Sequence, residues 1–249
     1  MKGVVLAGGL GTRLYPLTHA TNKHLLPVFD KTMVFYPIQT LVNAGIRDIL
    51  VVVGGPHAGD FIRVLQNGKE FGIDHLEYAY QQSGDGGIAD ALKLAEDFSD
   101  NGPLTVILGD NCTDADISKE VKNFNDGALI FLKKVHDPHR FGIAEIDPKD
   151  KTKVVSIVEK PKKPKGNLAV TGVYIYDSHV FHHISQMKPS ARGQLEITDV
   201  NNIYIKEGTL RWATLEGYWS DAGTFASLYK TNVFWANKIA GKRLREEPD

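Results

Sequence analysis

The stretch VVLAGGLGTRLYPLT, residues 4–18, places a run of apolar residues directly before a glycine-rich turn that contains an arginine. A short β-branched run that ends in glycines is typical of a buried strand entering a loop. Gly8, Gly9 and Gly11 allow the backbone to approach a ligand, and Arg13 adds a fork of donors that suits phosphate oxygens. The same residues also suit an ordinary turn with a surface arginine. The stretch therefore indicates a candidate phosphate site at the end of the first strand.

Two common phosphate-binding motifs do not fit this turn. The dinucleotide fingerprint G-x-G-x-x-G is met at Gly9 and Gly11, but Leu14 occupies its third glycine position. A Walker A motif, G-x-x-x-x-G-K-[ST], does not occur anywhere in the chain. The sequence therefore argues against a nicotinamide-dependent oxidoreductase, although such an enzyme would also begin with a strand that leads into a glycine-rich turn and would be built on a parallel sheet.

Short apolar runs alternate with amphipathic stretches in the first half of the chain, which is typical of parallel strands joined by crossover helices. The expected strands are KGVVLAG, DILVVVGG, HLEYAYQ and PLTVILGD, and the expected helices are TMVFYPIQTLVNAGI, HAGDFIRVLQNG and GGIADALKLAEDF. Continuous β-branched runs need cover on both faces, as central parallel strands have. The first half is therefore predicted to be doubly wound.

The second half has a different pattern, in which strand candidates follow one another closely. They are GALIFLKKV, FGIAEID, KVVSIVEKP and AVTGVYIYD, followed by two helix candidates, ITDVNNIYIKEG and AGTFASLYKTNVFWANKIAG. We predict an α/β fold with a doubly wound, mostly parallel Rossmann-like sheet and a mixed-sheet extension. No linker divides the 249 residues, so we expect a single domain over 1–249, with parts of about 1–126, about 127–221 and 222–249.

Composition excludes several classes of protein. The 29 basic and 30 acidic residues nearly cancel, so we expect neither a nucleic acid nor a membrane as partner. The single cysteine, Cys112, excludes a disulfide within the chain. No apolar stretch approaches the ~18 residues of a membrane span, and the apolar run after Met1 and Lys2 is too short for a signal-peptide core. We therefore expect a cytoplasmic protein.

A family resemblance rests on motifs that recur in a fixed order. LAGGLGTRLYPLT and NKHLLPV, which carries Lys23, resemble the sugar-phosphate nucleotidyltransferases. The resemblance continues through QQSGDGGIADAL, VILGDN, RFGIAEID, VEKPKKPKGNLAVTGVYIYD, PSARGQLEITDVNN and GYWSDAGTFASL. It covers nearly the whole chain.

The resemblance implies transfer of a deoxythymidylyl group from dTTP to glucose 1-phosphate, with Mg²⁺ as cofactor and pyrophosphate as the leaving group. The sugar-phosphate oxygen attacks the α-phosphorus directly, so positioned cations should carry the catalysis. Uridylyl transfer stays open, because the one methyl group that distinguishes thymine from uracil is worth only ~1 kcal/mol in an apolar pocket. Another sugar 1-phosphate also stays open as the acceptor. An inactive regulatory relative is a further alternative. The resemblance also implies a homo-oligomer, a dimer or tetramer.

The resemblance assigns catalytic roles to Arg13, Lys23 and Asp110, and magnesium to Asp110 and Asp221. Asp110 follows a buried strand, where parallel sheets place their ligands, although each aspartate alone also suits a turn or a helix cap. The implied nucleotide-binding residues are Leu6, Ala7, Gly8, Gly9, Gly11, Thr12, Arg13, Lys23, Gln82, Gly87 and Asp110. The implied sugar-phosphate residues are Asn111, Gly142, Glu159, Lys160, Val170, Arg192 and Trp219.

The chemistry of several of these side chains also suits the roles that the resemblance implies. The amide of Gln82 can pair with the polar edge of a pyrimidine, and Gly87 lets the backbone approach the ring. The resemblance implies that Lys160 and Arg192 hold the sugar phosphate and that Glu159 bonds sugar hydroxyls. Val170 and Trp219 suit core packing equally well. His24 and Ser83 stand where longer relatives have glutamine and proline, which leaves the base contacts open.

Overall fold

The structure is a computed structural model that describes residues 1–82 and 86–246, with side chains described up to residue 241. The strands are β1 (Lys2–Ala7), β2 (Pro27–Val28), β3 (Lys31–Thr32), β4 (Asp48–Gly54), β5 (His75–Gln81), β6 (Leu104–Leu108), β7 (Asn111–Thr113), β8 (Ala128–Lys134), β9 (Gly142–Ile146), β10 (Val154–Glu159), β11 (Leu168–Tyr176), β12 (Leu210–Thr214) and β13 (Trp219–Asp221). The helices are α1 (Phe35–Asn43), α2 (Ala58–Leu65), α3 (Ile88–Lys93), α4 (Glu96–Ser99), α5 (Ser118–Asn123), α6 (His179–Gln186), α7 (Ile197–Glu207) and α8 (Phe225–Glu246).

A nine-stranded sheet forms the centre of the molecule. Its strand order is β10-β9-β11-β6-β1-β4-β5, and β8 pairs with both β11 and β12. β1 pairs in parallel with β4 and β6, and β4 with β5, whereas the pairs of β11 with β6, β8 and β9 are antiparallel. The expected parallel sheet with a mixed extension is confirmed.

Helices cover both faces of this sheet. Side chains alternate along β1, so that Val4 and Leu6 join one apolar core while Val5 and Ala7 join the other. The first core includes residues of α3, α6 and α7, and the second includes residues of α1 and α2. This two-sided burial explains why the central strands are almost uniformly apolar.

The carboxyl ends of β1 and β6 lie side by side, with Leu6 in register with Leu108. The chain that leaves β6 forms β7, which pairs in antiparallel fashion with β13, so that Asn111 lies opposite Asp221. The N–H of Ala222 donates to the carbonyl oxygen of Asp110 at 2.9 Å. This small ribbon fixes two sequence-distant aspartates at one edge of the sheet.

Some elements differ from the sequence expectation. The helix expected over GGIADALKLAEDF is divided into α3 and α4. The ribbon strands β7 and β13 are three residues long, too short for alternation to be read from sequence, and α6 and β12 were not predicted. α8 continues through residue 246, past Gly241, where the predicted helix ends, and residues 247–249 lie outside the described residues. Within the described part of the chain, no helix is long and apolar enough to cross a membrane.

Candidate active site

A cleft of about 380 Å³ opens at the carboxyl edge of the central strands. Of the residues proposed from sequence, those that line it are Leu6, Gly8, Gly9, Arg13, Lys23, Gly87, Asp110, Asn111, Gly142, Glu159, Lys160, Val170, Arg192 and Asp221. Those that lie outside its lining are Ala7, Gly11, Thr12, Gln82 and Trp219. The structure therefore brings residues from both halves of the chain around one space.

The glycine turn packs against the loop that carries Lys23. Gly11 has a left-handed backbone, with φ 69°, and a Cβ placed on it would lie 2.7 Å from the Cβ of Lys23 and 3.0 Å from the Cγ2 of Thr18. The hydroxyl of Thr18 donates to the carbonyl oxygen of Gly11 at 2.9 Å. Gly11 thus allows a close approach between two loops, and this approach helps bring Arg13 and Lys23 to the same cleft.

Lys23 and Asp110 form a nearly buried ion pair, with 2.6 Å between Nζ and Oδ2. Burial acts to raise the pKa of Asp110, but the charge and hydrogen bond of Lys23 outweigh it and hold this pKa well below its usual range. Asn111 also donates from Nδ2 to Oδ1 of Asp110 at 3.0 Å. Asp110 is therefore ionised at neutral pH.

Asp221 is paired with a cation that the sequence analysis did not assign. Nη2 of Arg140 donates to both carboxylate oxygens of Asp221, at 2.9 and 2.7 Å. Burial, and then the negative charge of Asp110, raise the pKa of Asp221 to about 6 against the opposing charges of Arg140 and Arg13. The two carboxylates therefore repel each other, which a cation between them would relieve.

Arg13 has a different status from the other cations of the cleft. Among the described side chains, none forms an ion pair or a hydrogen bond with it. A Cβ placed on Gly223 would lie 3.3 Å from both Nη2 of Arg13 and Oδ2 of Asp110, so the guanidinium reaches the carboxylate edge. Its five N–H donors are available to an anion that enters the cleft.

Glu159 organises the opposite wall of the cleft. Its Oε2 accepts a hydrogen bond from the hydroxyl of Thr198 at 2.8 Å. Its Oε1 lies 3.3 Å from Nζ of Lys160 and 3.5 Å from Nη2 of Arg192, which also pairs with Glu196 at 2.8 Å. These two cations are therefore held close together, as two contacts to one phosphate would require.

The backbone of Lys160 is unusual for a non-glycine residue. Its φ is 43°, in the left-handed region, directly after the end of β10. Its N–H donates to the carbonyl oxygen of Phe141 at 3.0 Å, which holds this conformation in place. Such strain persists only where the surrounding structure enforces it, and it is frequent at ligand sites.

Trp219 contacts residues that line the cleft but does not line it itself. Its Nε1 donates to Oδ1 of Asn111 at 2.6 Å, and its ring packs on Phe141 with centroids 5.4 Å apart. The N–H of Gly172 donates to the same Oδ1 at 3.0 Å. Both bonds fix the amide of Asn111, so Trp219 contributes by orienting Asn111 and not as part of the cleft lining.

The model of the family described as nucleotidyl transferase matches residues 2–238. The chain belongs to the nucleotidyl transferase family. The resemblance drawn from the motifs is therefore confirmed.

Several relatives of this nucleotidyl transferase are similar over most of their length. A glucose-1-phosphate thymidylyltransferase of Neisseria gonorrhoeae is 45% identical over 240 residues, which cover 94% of this chain and 82% of that protein. A glucose-1-phosphate thymidylyltransferase of Xanthomonas campestris pv. campestris is 43% identical over 239 residues, which cover 94% of this chain and 80% of that protein.

Solved structures show the same architecture. A candidate glucose-1-phosphate thymidylyltransferase of Bacillus anthracis, in complex with a sucrose, is 48% identical with a TM-score of 0.88, covering 94% of each chain. A UDP-glucose pyrophosphorylase complexed with UDP-glucose has a TM-score of 0.84 at 21% identity, covering 95% of this chain and 98% of that one. At this lower identity the likeness shows a shared fold.

Nucleotidyl transferases of this family generally use a divalent metal. Among the described residues, no group of three or more His, Cys, Asp and Glu could hold one. The two mutually repelling carboxylates of Asp110 and Asp221 do fit a hard cation, which prefers oxygen ligands. Because these two carboxylates are what the described part of the cleft offers, a cation held there would take its remaining oxygens from substrate phosphates and water.

The structure identifies cleft residues of this nucleotidyl transferase that sequence reasoning missed. Gln81, which is 5% exposed, lines the cleft, whereas its neighbour Gln82 is exposed. Adjacent side chains at a strand end point in opposite directions, and sequence alone does not fix which one points inward. Arg140 and Tyr174 also line the cleft, but each lies within an ordinary strand or turn pattern that gives no functional signal.

Gly87 serves packing as well as lining the cleft. Its φ is 99°, and a Cβ placed on it would lie 2.4 Å from the carbonyl oxygen of Leu195. The N–H of Leu195 donates to the oxygen of Gly86 at 2.9 Å, and the N–H of Ala89 donates to the oxygen of Leu195 at 3.1 Å. The start of α3 is therefore joined through its backbone to the loop that carries Arg192.

Proposed function

We propose that the protein transfers a deoxythymidylyl group from dTTP to glucose 1-phosphate, forming dTDP-glucose and pyrophosphate. One observation carries the proposal. Among the described residues Arg13 forms no ion pair, and its guanidinium meets the Lys23–Asp110 pair and Asp221 at one edge of the sheet. This arrangement occurs in a chain that is 45% identical to a glucose-1-phosphate thymidylyltransferase.

The nucleotide half of the cleft would hold the triphosphate. Gly8 and Gly9 allow its oxygens to approach the backbone, and Arg13 and Lys23 neutralise the charge that develops on the leaving pyrophosphate. Mg²⁺, held by Asp110 and Asp221, would stabilise the negative charge around the α-phosphorus. Lys23 and Arg140, which now neutralise these two carboxylates, would then be free to contact phosphate oxygens.

The other half would hold the sugar phosphate. Lys160 and Arg192 suit its phosphate group, and Glu159 can accept hydrogen bonds from sugar hydroxyls. Asn111, with its amide fixed by Trp219, lines the cleft next to Asp110. The sugar-phosphate oxygen is ionised at neutral pH and attacks the α-phosphorus in line, so no protein nucleophile is needed.

The test is pyrophosphate release from glucose 1-phosphate, Mg²⁺ and each of dTTP, UTP, CTP, ATP and GTP. We expect the highest kcat/KM with dTTP. A higher value with UTP would favour the uridylyltransferase alternative. Absence of release with all five nucleotides would overturn the proposal and favour an inactive regulatory relative.

Two organisational proposals accompany this function. We propose that residues 1–249 act as a single nucleotidyltransferase domain in the cytoplasm, where dTTP is available. The nine-stranded sheet, which includes strands from both halves of the chain, supports one domain. We also propose a homo-oligomer, a dimer or tetramer, supported by the exposed apolar stripe of Phe225, Tyr229 and Val233 on α8.

A further inference from the structure

The orientation of the Gln81 amide is determined by its neighbours. Nε2 of Gln81 donates to Oδ2 of Asp90 at 2.8 Å and to the carbonyl oxygen of Gly87 at 3.4 Å. A carboxylate and a carbonyl can only accept, so the NH₂ end of the amide must face Asp90 and Gly87. The carbonyl end of Gln81 then has to face the other way.

That other direction is the glycine turn. A Cβ placed on Gly8 would lie 2.3 Å from Oε1 of Gln81, so the oxygen lies against the backbone of Gly8. Gly8, Gly87 and Gln81 all line the cleft. Oε1 is therefore a hydrogen-bond acceptor on the wall of the nucleotide half.

Asp90 is well placed to fix this orientation. It lies in the first turn of α3, between Ala89 and Ala91, which are both buried in the core on one face of the sheet. The backbone bonds between this helix start and Leu195 hold the turn in place. The carboxylate is thus held on a packed element, and a second orientation of the Gln81 amide would set an acceptor against an acceptor.

We propose that Asp90 is a positioning residue for base selection: it holds Gln81 with its carbonyl oxygen towards the cleft, so that the site accepts a base with a ring N–H donor. Thymine and uracil carry such a donor at N3, whereas N3 of cytosine is an acceptor and would face Oε1 without a hydrogen bond. The inference rests on the proposed function and adds a reason for a preference for thymine and uracil over cytosine. Sites that hydrogen-bond a substrate group reject analogues lacking it far more strongly than apolar pockets reject a missing methyl.

Removal of the carboxylate should relax this selectivity. Without Asp90, only the long 3.4 Å contact with the carbonyl oxygen of Gly87 still favours this orientation. The Gln81 amide can then turn by 180° and present Nε2 to the acceptor N3 of cytosine. The loss of a single directional contact corresponds to a change of about tenfold in relative affinity. The change should affect the choice between bases more than the rate with the preferred nucleotide.

The experiment compares kcat/KM for dTTP and dCTP in the wild type and three variants. Asp90→Ala should lower the dTTP to dCTP ratio by about tenfold. Asp90→Asn should retain most of the ratio, because its Oδ1 still accepts from Gln81. Asp97→Ala, which removes an exposed carboxylate on α4, is the matched control and should leave the ratio unchanged.

A second readout, the increase in Tm on nucleotide binding, needs no turnover and can also be measured on a variant that is less stable than the wild type. The increase in Tm caused by dTTP and by dCTP should differ strongly in the wild type and much less in Asp90→Ala. An unchanged ratio in both readouts, or an equal loss with both nucleotides, would overturn the role of Asp90. Failure of the wild type to release pyrophosphate with any nucleotide would instead contradict the proposed function.

Discussion

At the scale of single residues, the cleft contains cations of two kinds. Lys23 neutralises the buried carboxylate of Asp110, and Arg140 neutralises the partly buried carboxylate of Asp221. Removing either cation would leave a negative charge without its partner and would destabilise the fold as well as the site. Arg13 has no such partner among the described side chains. Its charge opposes the rise in the pKa of Asp221 but forms no described ion pair, so replacing Arg13 should affect catalysis more than folding.

We expect Arg13→Gln to lower kcat by about 10²–10³-fold, as loss of a preorganised charge contact does in other enzymes. Its free energy of unfolding should change by less than about 0.5 kcal/mol, because no described ion pair is broken. Steady-state kinetics and urea unfolding measure the two quantities. Arg63→Gln, at an exposed arginine of α2, is the control and should leave kcat unchanged. A kcat within threefold of wild type for Arg13→Gln would contradict the assignment.

His24 predicts a pH dependence of stability. Burial, and then the charge of Lys23, lower the pKa of His24 from 6.5 to about 3. The unfolded chain therefore binds a proton near pH 6.5 that the folded protein excludes, so stability falls as the pH drops from 6.5 towards 3. Each pH unit costs about 1.4 kcal/mol for one such group.

The variant His24→Gln should lose less stability than wild type on acidification. Between pH 7.5 and 5, we expect its free energy of unfolding to fall by roughly 2 kcal/mol less than that of the wild type. Urea unfolding at both pH values measures this difference. His136→Gln, which changes an exposed histidine, should lose as much free energy of unfolding as the wild type between pH 7.5 and 5. An equal loss in His24→Gln would show that His24 is already protonated in the folded state.

At the scale of elements, the backbone link between the start of α3 and Leu195 joins the two halves of the site. Gly87→Ala places a methyl group 2.4 Å from the carbonyl oxygen of Leu195, so the loop that carries Arg192 must shift. We expect the KM for glucose 1-phosphate to rise about tenfold or more, with a loss of about 1–3 kcal/mol in stability.

Gly45→Ala is the matched control for this change. Gly45 has a similar positive φ of 84°, but a Cβ placed on it meets nothing within 4 Å. It therefore reports the backbone strain of alanine without the crowding. Equal KM values in the two variants would show that strain alone, and not displacement of the Arg192 loop, accounts for the effect.

At the scale of the whole molecule, α8 presents an apolar surface to solvent. Phe225, Tyr229 and Val233 follow at intervals of four residues and are 50%, 70% and 41% exposed. Residues with this spacing lie on one face of a helix, and contiguous exposed apolar surface is typical of a protein contact. In the proposed homo-oligomer, a second copy of the chain covers this surface.

We expect the wild type to have a solution mass of two or four times 27.5 kDa by light scattering. Tyr229→Lys should shift it towards the monomer, because a charge would be buried in an apolar contact. Ile62→Lys changes another exposed apolar residue, 55% exposed on α2, and should leave the mass unchanged. A monomeric wild type would contradict the proposed oligomer.

The sequence by itself determined the main elements and the residue types of the site. Alternating and continuous apolar runs define β1, β4 and β6, because burial on one or two faces leaves a periodic pattern that is local in the chain. The glycine turn with Arg13 and the aspartate that follows β6 were likewise readable, since strand ends at a parallel edge are where ligands bind. These features depend on neighbours within a few residues.

Only the tertiary structure decided which side chains meet. The pairing of β7 with β13 brings Asp221 close to Asp110. Lys23 then pairs with Asp110, and Arg140 pairs with Asp221. The choice of Gln81 over Gln82 as the residue that faces the cleft likewise appeared only in the fold. The contacts among these charged residues join positions about 80 to 110 residues apart. Their geometry is set by packing between elements, which leaves no periodic trace in the sequence.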